Sequence, residues 1–459
     1  MPSQNTTQCL LFPELFDRPL ATQFDLVNGS SDGGAVLLKA ADARLGLIEE
    51  LARCVRDSRM PGKVDHEVSE LLSQRIFGLA CGYADCNDAA RLAQDPVHRM
   101  LVTGDPVDGG SLASQPTLSR FENVVGQRDL YRMGETLASI VVDRHRLRVG
   151  KFCRKVVVDL DSTADPTHGA QQLSLFHGHH DTWCYLPLLG FLSFDDEPEQ
   201  YLFTALLRPG NASDKLGVLA VLRRLVPQLR TAFPQARLLV RLDGGFGGPE
   251  ILDFLDDEPR VDYVVGFAKN SVLSRFARRL MGKARKISRR SQHTEHVYGE
   301  CRYAAGKWSR RRRIIIKAEV VCHPGRMPKD NPRFVVTNLE QTPRWIYERV
   351  YCERGDVENR IKELKYGLDI DRTSCSRFLA NQLRVLMAAA AYVLMQELRL
   401  HAAKTSCARA QVWILRQRLL KIGAQVVSSV RRLLLRLPET FPFKDEWTQI
   451  ACSLGARAG

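Results

Sequence analysis

Two apolar runs that each end in aspartate constrain the fold most. Lys155 to Asp161 carries Val156, Val157, Val158 and Leu160, and Ala236 to Leu242 runs directly into Asp243. Short runs that are apolar on both faces read as central strands of a sheet covered on both sides. Between them lie two more strand-like stretches, Trp183 to Leu192 and Tyr201 to Leu207, and a helical pattern from Asp214 to about Phe233. Adjacent strands followed by a helix and another strand predict a mixed α/β sheet flanked by helices.

The carboxylates on these runs are the first candidates for chemistry. Asp159 and Asp161 are two apart and share one face of their strand. A carboxylate in a buried strand is costly unless it binds something. Asp243 is followed by Gly244, Gly245, Phe246, Gly247, Gly248 and Pro249. Glycines there let backbone and substrate approach closely, at the carboxyl end of a strand, where sites of α/β proteins lie. The plain alternatives are an aspartate capping the Ser162-Thr163 turn and a simple turn aspartate at 243.

A third carboxylate comes from the segment Tyr351 to Lys365, which reads as a helix. At roughly 100° per residue, Tyr351, Arg354, Glu358 and Lys365 fall within about 60° of one another. Ile346, Val350, Val357, Ile361, Leu364 and Leu368 form an apolar stripe about a quarter-turn away. Glu353, Asp356 and Glu363 point elsewhere, so Glu358 is the acid of this face. A solvated mixed-charge face is the alternative. Three carboxylates from two strands and a helix suit magnesium, which takes a few carboxylates plus water and phosphate oxygens. Two such ions can stabilise the attacking and leaving oxygens of a phosphodiester exchange.

Composition supplies the partner. The net charge is +14 over 459 residues, an excess that favours a polyanion, nucleic acid or an acidic membrane. Basic residues crowd 271–329, including Arg310, Arg311, Arg312 and Arg313, which are candidate DNA contacts. No membrane span is expected: the run Val385 to Met395 is too short and is flanked by Arg384 and Glu397. The N-terminus lacks a secretory pattern. The 12 scattered cysteines read as reduced thiols of a cytoplasmic protein. His168, His177, His179 and His180 read as a polar loop or hairpin near DNA rather than a zinc site.

Residues 1 to about 30 look irregular. Helices are expected from Asp65 to Ala80, from about Asn87 to near Pro96, and from Ser114, with serine as cap and Pro116 in the first turn. Later strands are expected at Tyr263 to Phe267, Ile314 to Val321 and Arg333 to Asn338, and later helices over Leu379 to Leu398 and from about Arg409.

In these residues the chain resembles the DDE transposases of bacterial insertion sequences that carry a Tyr-x2-Arg-x3-Glu-x6-Lys signature. Tyr351, Arg354, Glu358 and Lys365 match that spacing without a gap. Asp161-Ser162-Thr163 resembles the first-aspartate strand of that family, and Asp243 with its glycines resembles the second. Asp159 remains the alternative first acid. Asp161 and Asp243 are about 80 residues apart, and Asp243 and Glu358 about 115. The resemblance covers roughly residues 150 to 400.

It implies a ribonuclease H-like catalytic core with a β-rich basic insertion and helical N- and C-terminal regions. The implied parts are a mainly helical DNA-end-binding domain over 1–150, core at 151–268 and 343–400, the insertion at 269–342, and a helical basic region at 401–459 for dimerisation or DNA contact. Asp161, Asp243 and Glu358 would hold two Mg²⁺ ions, with Mn²⁺ able to substitute, while Tyr351, Arg354 and Lys365 grip phosphates. The implied activity is cleavage at the terminal inverted repeats and transfer of the freed 3′-hydroxyl to target DNA, by a homodimer in a nucleoid-associated, cytoplasmic setting. Some relatives stack a tryptophan of the insertion on a displaced base. The corresponding stretch here, Arg333 to Thr337, has none, and Phe334, Trp308 or Trp345 would have to substitute. The competing readings are an inactive DNA-binding remnant and a nuclease of the same fold that does not join strands.

Overall fold

The two aspartate-ended runs pair side by side and parallel, with Val158 opposite Val240 and Leu160 opposite Leu242. The structure, a computed structural model, describes residues 10–457. Its main sheet has nine strands. Across it run Glu295–Tyr303, Arg312–Val321, Arg333–Thr337, Val261–Phe267, Arg237–Leu242, Lys155–Ser162, Leu188–Phe194 and Tyr201–Leu206, with Lys329–Asp330 beside Arg312–Val321. The three central strands, from 155, 237 and 261, are parallel to one another. The flanking pairings are antiparallel.

The stretch expected as one strand from Trp183 is two. Pro187 offers no donor to a ladder, and it separates Thr182–Tyr185 from Leu188–Phe194. Thr182–Tyr185 instead joins a small sheet with Asp165–Pro166 and Leu175–His177.

Tyr201–Leu206 would be an open edge, and the helix Phe378–His401 closes it. Gln396 accepts from the Leu202 amide at 3.1 Å and donates to the Gln200 carbonyl at 2.7 Å. Gln382 does the same one strand-end further on, accepting from Leu207 N at 2.7 Å and donating to Ala205 O at 3.2 Å. Side-chain amides thus replace a neighbouring strand. This helix is long and apolar enough to cross a membrane, yet it is packed into the core.

The N-terminal region from 36 to 149 is built of helices. The helix expected from Asp65 begins at Val68, with Glu67 and Glu70 forming its capping box. The helix expected from Asn87 is Cys86–Leu92, and a separate one, Pro96–Thr103, starts where the first was expected to stop. Asp95 caps that second helix through the amides of Val97 and His98, with Pro96 in its first turn. Ser114 holds the N-cap position of Gln115–Val124, but its hydroxyl pairs with Thr117 Oγ1 at 3.1 Å and bonds no helix amide. These helices share one continuous apolar core with the sheet.

Two expectations need correction at the chain ends. The C-terminal region is not wholly helical: Ala424–Ser429 and Arg432–Arg436 form an antiparallel hairpin to which Gly29–Ser30 adds a third strand. The β-branched Val426 and Val427 favour that extended form. Near the N-terminus, Leu10–Phe12 pairs with Leu20–Thr22, whereas residues 1–9 of the stretch expected to be irregular lie outside the described residues. The basic segment is β-containing as expected but opens with a 21-residue helix, Ser271–Ser291.

Candidate active site

Because Leu160 lies opposite Leu242, the next residues, Asp161 and Asp243, emerge together at the carboxyl ends of neighbouring parallel strands. Arg354 bridges them. Its Nη1 donates to Asp161 Oδ2 at 2.9 Å, and its Nη2 lies 3.7 Å from Asp243 Oδ1. The Tyr351 hydroxyl donates to Asp243 Oδ1 at 3.4 Å. Each carboxylate also accepts a backbone amide from the residue after it, Ser162 at 3.0 Å and Gly244 at 2.6 Å.

The segment that delivers Tyr351 and Arg354 is not one regular helix. It is a π-turn over Ile346–Tyr351, a 3-10 turn over Cys352–Gly355 and an α-helix over Asp356–Leu368. Wide winding followed by tight winding marks functional sites in other helices. Its apolar side seats Ile346, Tyr347 and Val350 on Val264, Ile315 and Val335 of the sheet. Further along, Lys365 donates to the Ala164 carbonyl and lies 3.7 Å from Asp371. Arg354 and Lys365 therefore both face the 161–164 stretch, and Glu358 lies between them in sequence. Glu358 is exposed, in the first turn of Asp356–Leu368, and no described residue engages its carboxylate.

Burial raises the Asp161 carboxyl to about 6; Arg354 opposes that rise and the Asp243 charge adds to it. Burial and Asp243 push the Tyr351 phenol up to about 12, so it remains a donor. Burial works against the Arg354 charge, but the two aspartates outweigh it and hold its pKa above the ordinary value.

Close packing here requires glycine at two places. A Cβ on Gly266 would fall 2.6 Å from the Tyr351 hydroxyl and 2.7 Å from the Gly244 nitrogen. One on Gly245 would fall 2.0 Å from Asp214 Oδ2. Asp214 is thus a further carboxylate beside the Asp243 loop, and Ser162 Oγ lies 3.5 Å from its Oδ1. The local pattern reads as a helix start at Asp214, but the helix begins at Val218, after Gly217 in a left-handed cap. Nothing in its local sequence marks it as part of the site.

Asp159 has a different environment. It is fully buried, and Arg241, opposite it on the neighbouring strand, donates to both its oxygens at 2.8 and 2.7 Å. Gln200 adds a third bond at 3.2 Å.

Of the four consecutive arginines, three are already engaged by acids. Arg310 pairs with Asp257 at 2.8 Å. Arg312 is buried over the Trp308 ring and reaches Asp256 at 2.8 Å and Asp253 at 2.5 Å. Arg313 binds Glu300 and the Leu339 and Gln341 carbonyls. Arg311 is exposed. Among the aromatic substitutes, Phe334 is buried, Trp308 packs on Phe267 and Tyr303, and Trp345 is half exposed.

His177, His179 and His180 meet ring to ring at the tip between Leu175–His177 and Thr182–Tyr185. Their ligand atoms are not gathered closely enough to share an ion. Nor are those of Asp161, Asp243 and Glu358, where the Arg354 guanidinium lies against the first two. Among the described residues, one group is that close: Asp32, Cys81 and His98, within 4.8 Å. It does not suit a metal. Asp32 already lies between His98 Nε2 at 2.8 Å and the Lys421 ammonium at 2.7 Å, and burial raises the Cys81 thiol.

A large mixed sheet thus brings Asp161 and Asp243 to neighbouring strand ends, with Arg354 between them. The family described as transposase DDE domain group 1 matches residues 12–457, and the chain belongs to that family. Among solved structures, the chain is similar to a piggyBac transposase seen by cryo-EM in a synaptic complex with hairpin DNA. The TM-score is 0.40 at 9% identity, covering 93% of this chain and 81% of that one. No curated protein sequence matches.

Proposed function

We propose that this DDE transposase is the enzyme of an insertion sequence, with a ribonuclease H-like core that cuts the element's ends and joins the freed 3′-hydroxyl to target DNA. The observation that carries the reading is the Arg354 bridge between Asp161 and Asp243. Two carboxylates at adjacent strand ends, one with a raised pKa, form a site that needs positive charge. In the free protein Arg354 supplies it.

Asp161, Asp243 and Glu358 would hold two divalent ions, Mg²⁺ or Mn²⁺. Such ions supply Lewis acidity to both the attacking and the leaving oxygen. The donor chemistry fits, since hard carboxylate oxygens, few in number, leave coordination positions for phosphate, but the three acids must draw together to take up the ions. Arg354 must then turn from the carboxylates to a DNA phosphate, which its planar fork can grip with two parallel bonds. Tyr351, held as a neutral phenol, donates a hydrogen bond, and Lys365 acts as a compact charge on the same strand. Two DNA ends must meet, so the working form is a homodimer on double-stranded DNA.

The test is cleavage of the element's own ends. Asp161→Asn, Asp243→Asn and Glu358→Gln should each lower the rate at least about 10³-fold, roughly 4 kcal/mol of barrier, with end binding retained. Glu358→Gln cutting at the parental rate would refute the assignment. A pre-cut end should give joined products with target DNA; products of hydrolysis alone would point to a nuclease. Binding without any cut in Mg²⁺ or Mn²⁺ would point to an inactive remnant.

A further inference from the structure

The helix Ser271–Ser291 carries Arg275, Arg278, Arg279, Lys283, Arg285, Lys286, Arg289 and Arg290 and no acidic residue. Leu273, Ala277, Met281, Ala284 and Ser288 are buried against the sheet, and all eight cations are exposed. Among the described residues only Arg285 is paired, with Asp330. Like charges stand four apart at 275 and 279, 279 and 283, 285 and 289, and 286 and 290. Each such pair destabilises a lone helix by a few tenths of a kcal/mol, on the order of 0.2–0.5. A polyanion laid along the helix reverses that sign.

The position of the helix matters as much as its charge. It starts just after the Val261–Phe267 strand, and Phe267 lies 3.3 Å from where a Gly247 side chain would begin, in the loop that follows Asp243. Its first turn is capped by Asn270. From there the helix extends about 30 Å at 1.5 Å per residue. Its buried side belongs with Ile314, Ile316 and Phe334, whereas Ile346 and Val350 of the Tyr351 segment lie on Ile315 and Val335. The two elements therefore flank opposite faces of one sheet, and the basic helix begins near the catalytic edge.

We propose that the exposed face of Ser271–Ser291 is the track for the duplex that flanks the cut, binding its phosphates without reading sequence. This rests on the DNA-cutting role proposed for the aspartate site. Duplex DNA carries about one charge per 1.7 Å of axis, so a 30 Å stretch offers many partners to eight cations. A second copy of the chain does not fit, since two such helices repel. An inserted membrane helix does not fit either, because the apolar stripe is already used by the sheet. The Arg310 to Arg313 run, mostly neutralised by its own acids, is the weaker candidate.

The test measures binding of a random-sequence duplex of about 30 base pairs, without metal, between about 50 and 200 mM salt. Replacing Arg275, Arg279, Lys283 and Lys286 by Gln should flatten the slope of log affinity against log salt by about 3 to 4, near 0.9 per lost phosphate contact. A charge-matched control replaces the exposed Arg431, Arg432, Arg436 and Lys444 and should change the slope by less than half as much. An unchanged slope, or equal effects of the two variants, overturns the proposal, as does equally tight binding of the parent to anionic lipid vesicles. If the fourfold variant loses its helical circular dichroism, Arg278→Gln with Arg289→Gln and Arg290→Gln repeats the measurement on the same face. Binding needs no cleavage, so these outcomes are separate from failure of Asp161, Asp243 or Glu358 substitutions to stop cutting.

Discussion

Asp159 and Asp161 point the same way from one strand and have opposite fates. Asp159 faces the Arg241 guanidinium, and both its oxygens are used. Removing it should leave a buried cation unpaired, so Asp159→Ala should cost about 3–5 kcal/mol in a denaturant titration. Asp161→Asn should leave stability nearly unchanged and abolish cutting; equal stability loss in both would contradict these separate roles. The spacing of the two aspartates is legible in the sequence, and the Asp161-Ser162-Thr163 match favours Asp161 there. That Asp159 is taken up by a cross-strand arginine about 80 residues away is marked by no local pattern. Arg354→Ala makes a related prediction. It should raise Mn²⁺ affinity in the absence of DNA, seen by titration calorimetry, while lowering end cleavage; weaker Mn²⁺ binding would rule out the bridge as a stand-in cation. Asp165 adds a pH effect. Burial raises its carboxyl to about 8, and its Oδ1 has no hydrogen-bond partner. A carboxyl raised in the folded state favours folding in its protonated form, so that contribution is complete below the unfolded value of 3.8 and is lost as pH rises toward 8. Asp165→Asn, which keeps an acceptor for Thr373, should therefore stabilise the protein at pH 7, by at most about 4 kcal/mol, and not at pH 4. Urea midpoints at the two pH values decide it.

At the scale of elements, the central strands are the most legible because their apolar runs are short and bounded, whereas Glu295–Tyr303, with few apolar residues, is not legible. The helix Ser271–Ser291 is not legible in the sequence, for a physical reason. Its buried stripe is Leu273, Ala277, Met281, Ala284 and Ser288, mostly small residues, and the dense charge between them hides the period. The Tyr351 segment was expected to be evenly wound, yet it passes from π to 3-10 to α. Tyr351 and Arg354 nonetheless both reach Asp243. What holds this arrangement is the close passage of the Val261–Phe267 strand beneath it. Gly266→Ala would drive a methyl against the Tyr351 hydroxyl and the Gly244 backbone, and backbone cannot turn aside as a side chain can. We expect a stability loss of about 1–3 kcal/mol and a larger proportional loss of end cleavage, since the Asp243 loop must move. Parental cleavage in a destabilised Gly266→Ala protein would show that the loop tolerates the shift.

At the scale of the whole molecule, a boundary near residue 150 is visible in the text, where helical pattern gives way to strands, but the core does not stop there. Glu122 accepts from Arg75 at 3.1 Å and from Arg384 at 2.8 Å, all three buried or nearly so, and this joins two N-terminal helices to Phe378–His401. Arg144 binds Glu397 of the same helix through both carboxylate oxygens. That helix in turn caps the edge strand of the sheet. Its dependence on partners from both sides is invisible in its own sequence, which reads as apolar all round. The N-terminal helices and the main sheet should therefore unfold as one unit. A calorimetric scan should show a single transition, and residues 151–459 expressed alone should expose the Arg384 and Glu397 faces of the helix and fail to give a cooperative melt. Glu122→Gln tests the join without deleting anything. It leaves two guanidiniums beside one neutral amide in a buried site, and should lower the stability of the entire chain by about 3–5 kcal/mol. Two separate transitions in that variant, with the later one unmoved, would mean that the helical region and the sheet fold independently.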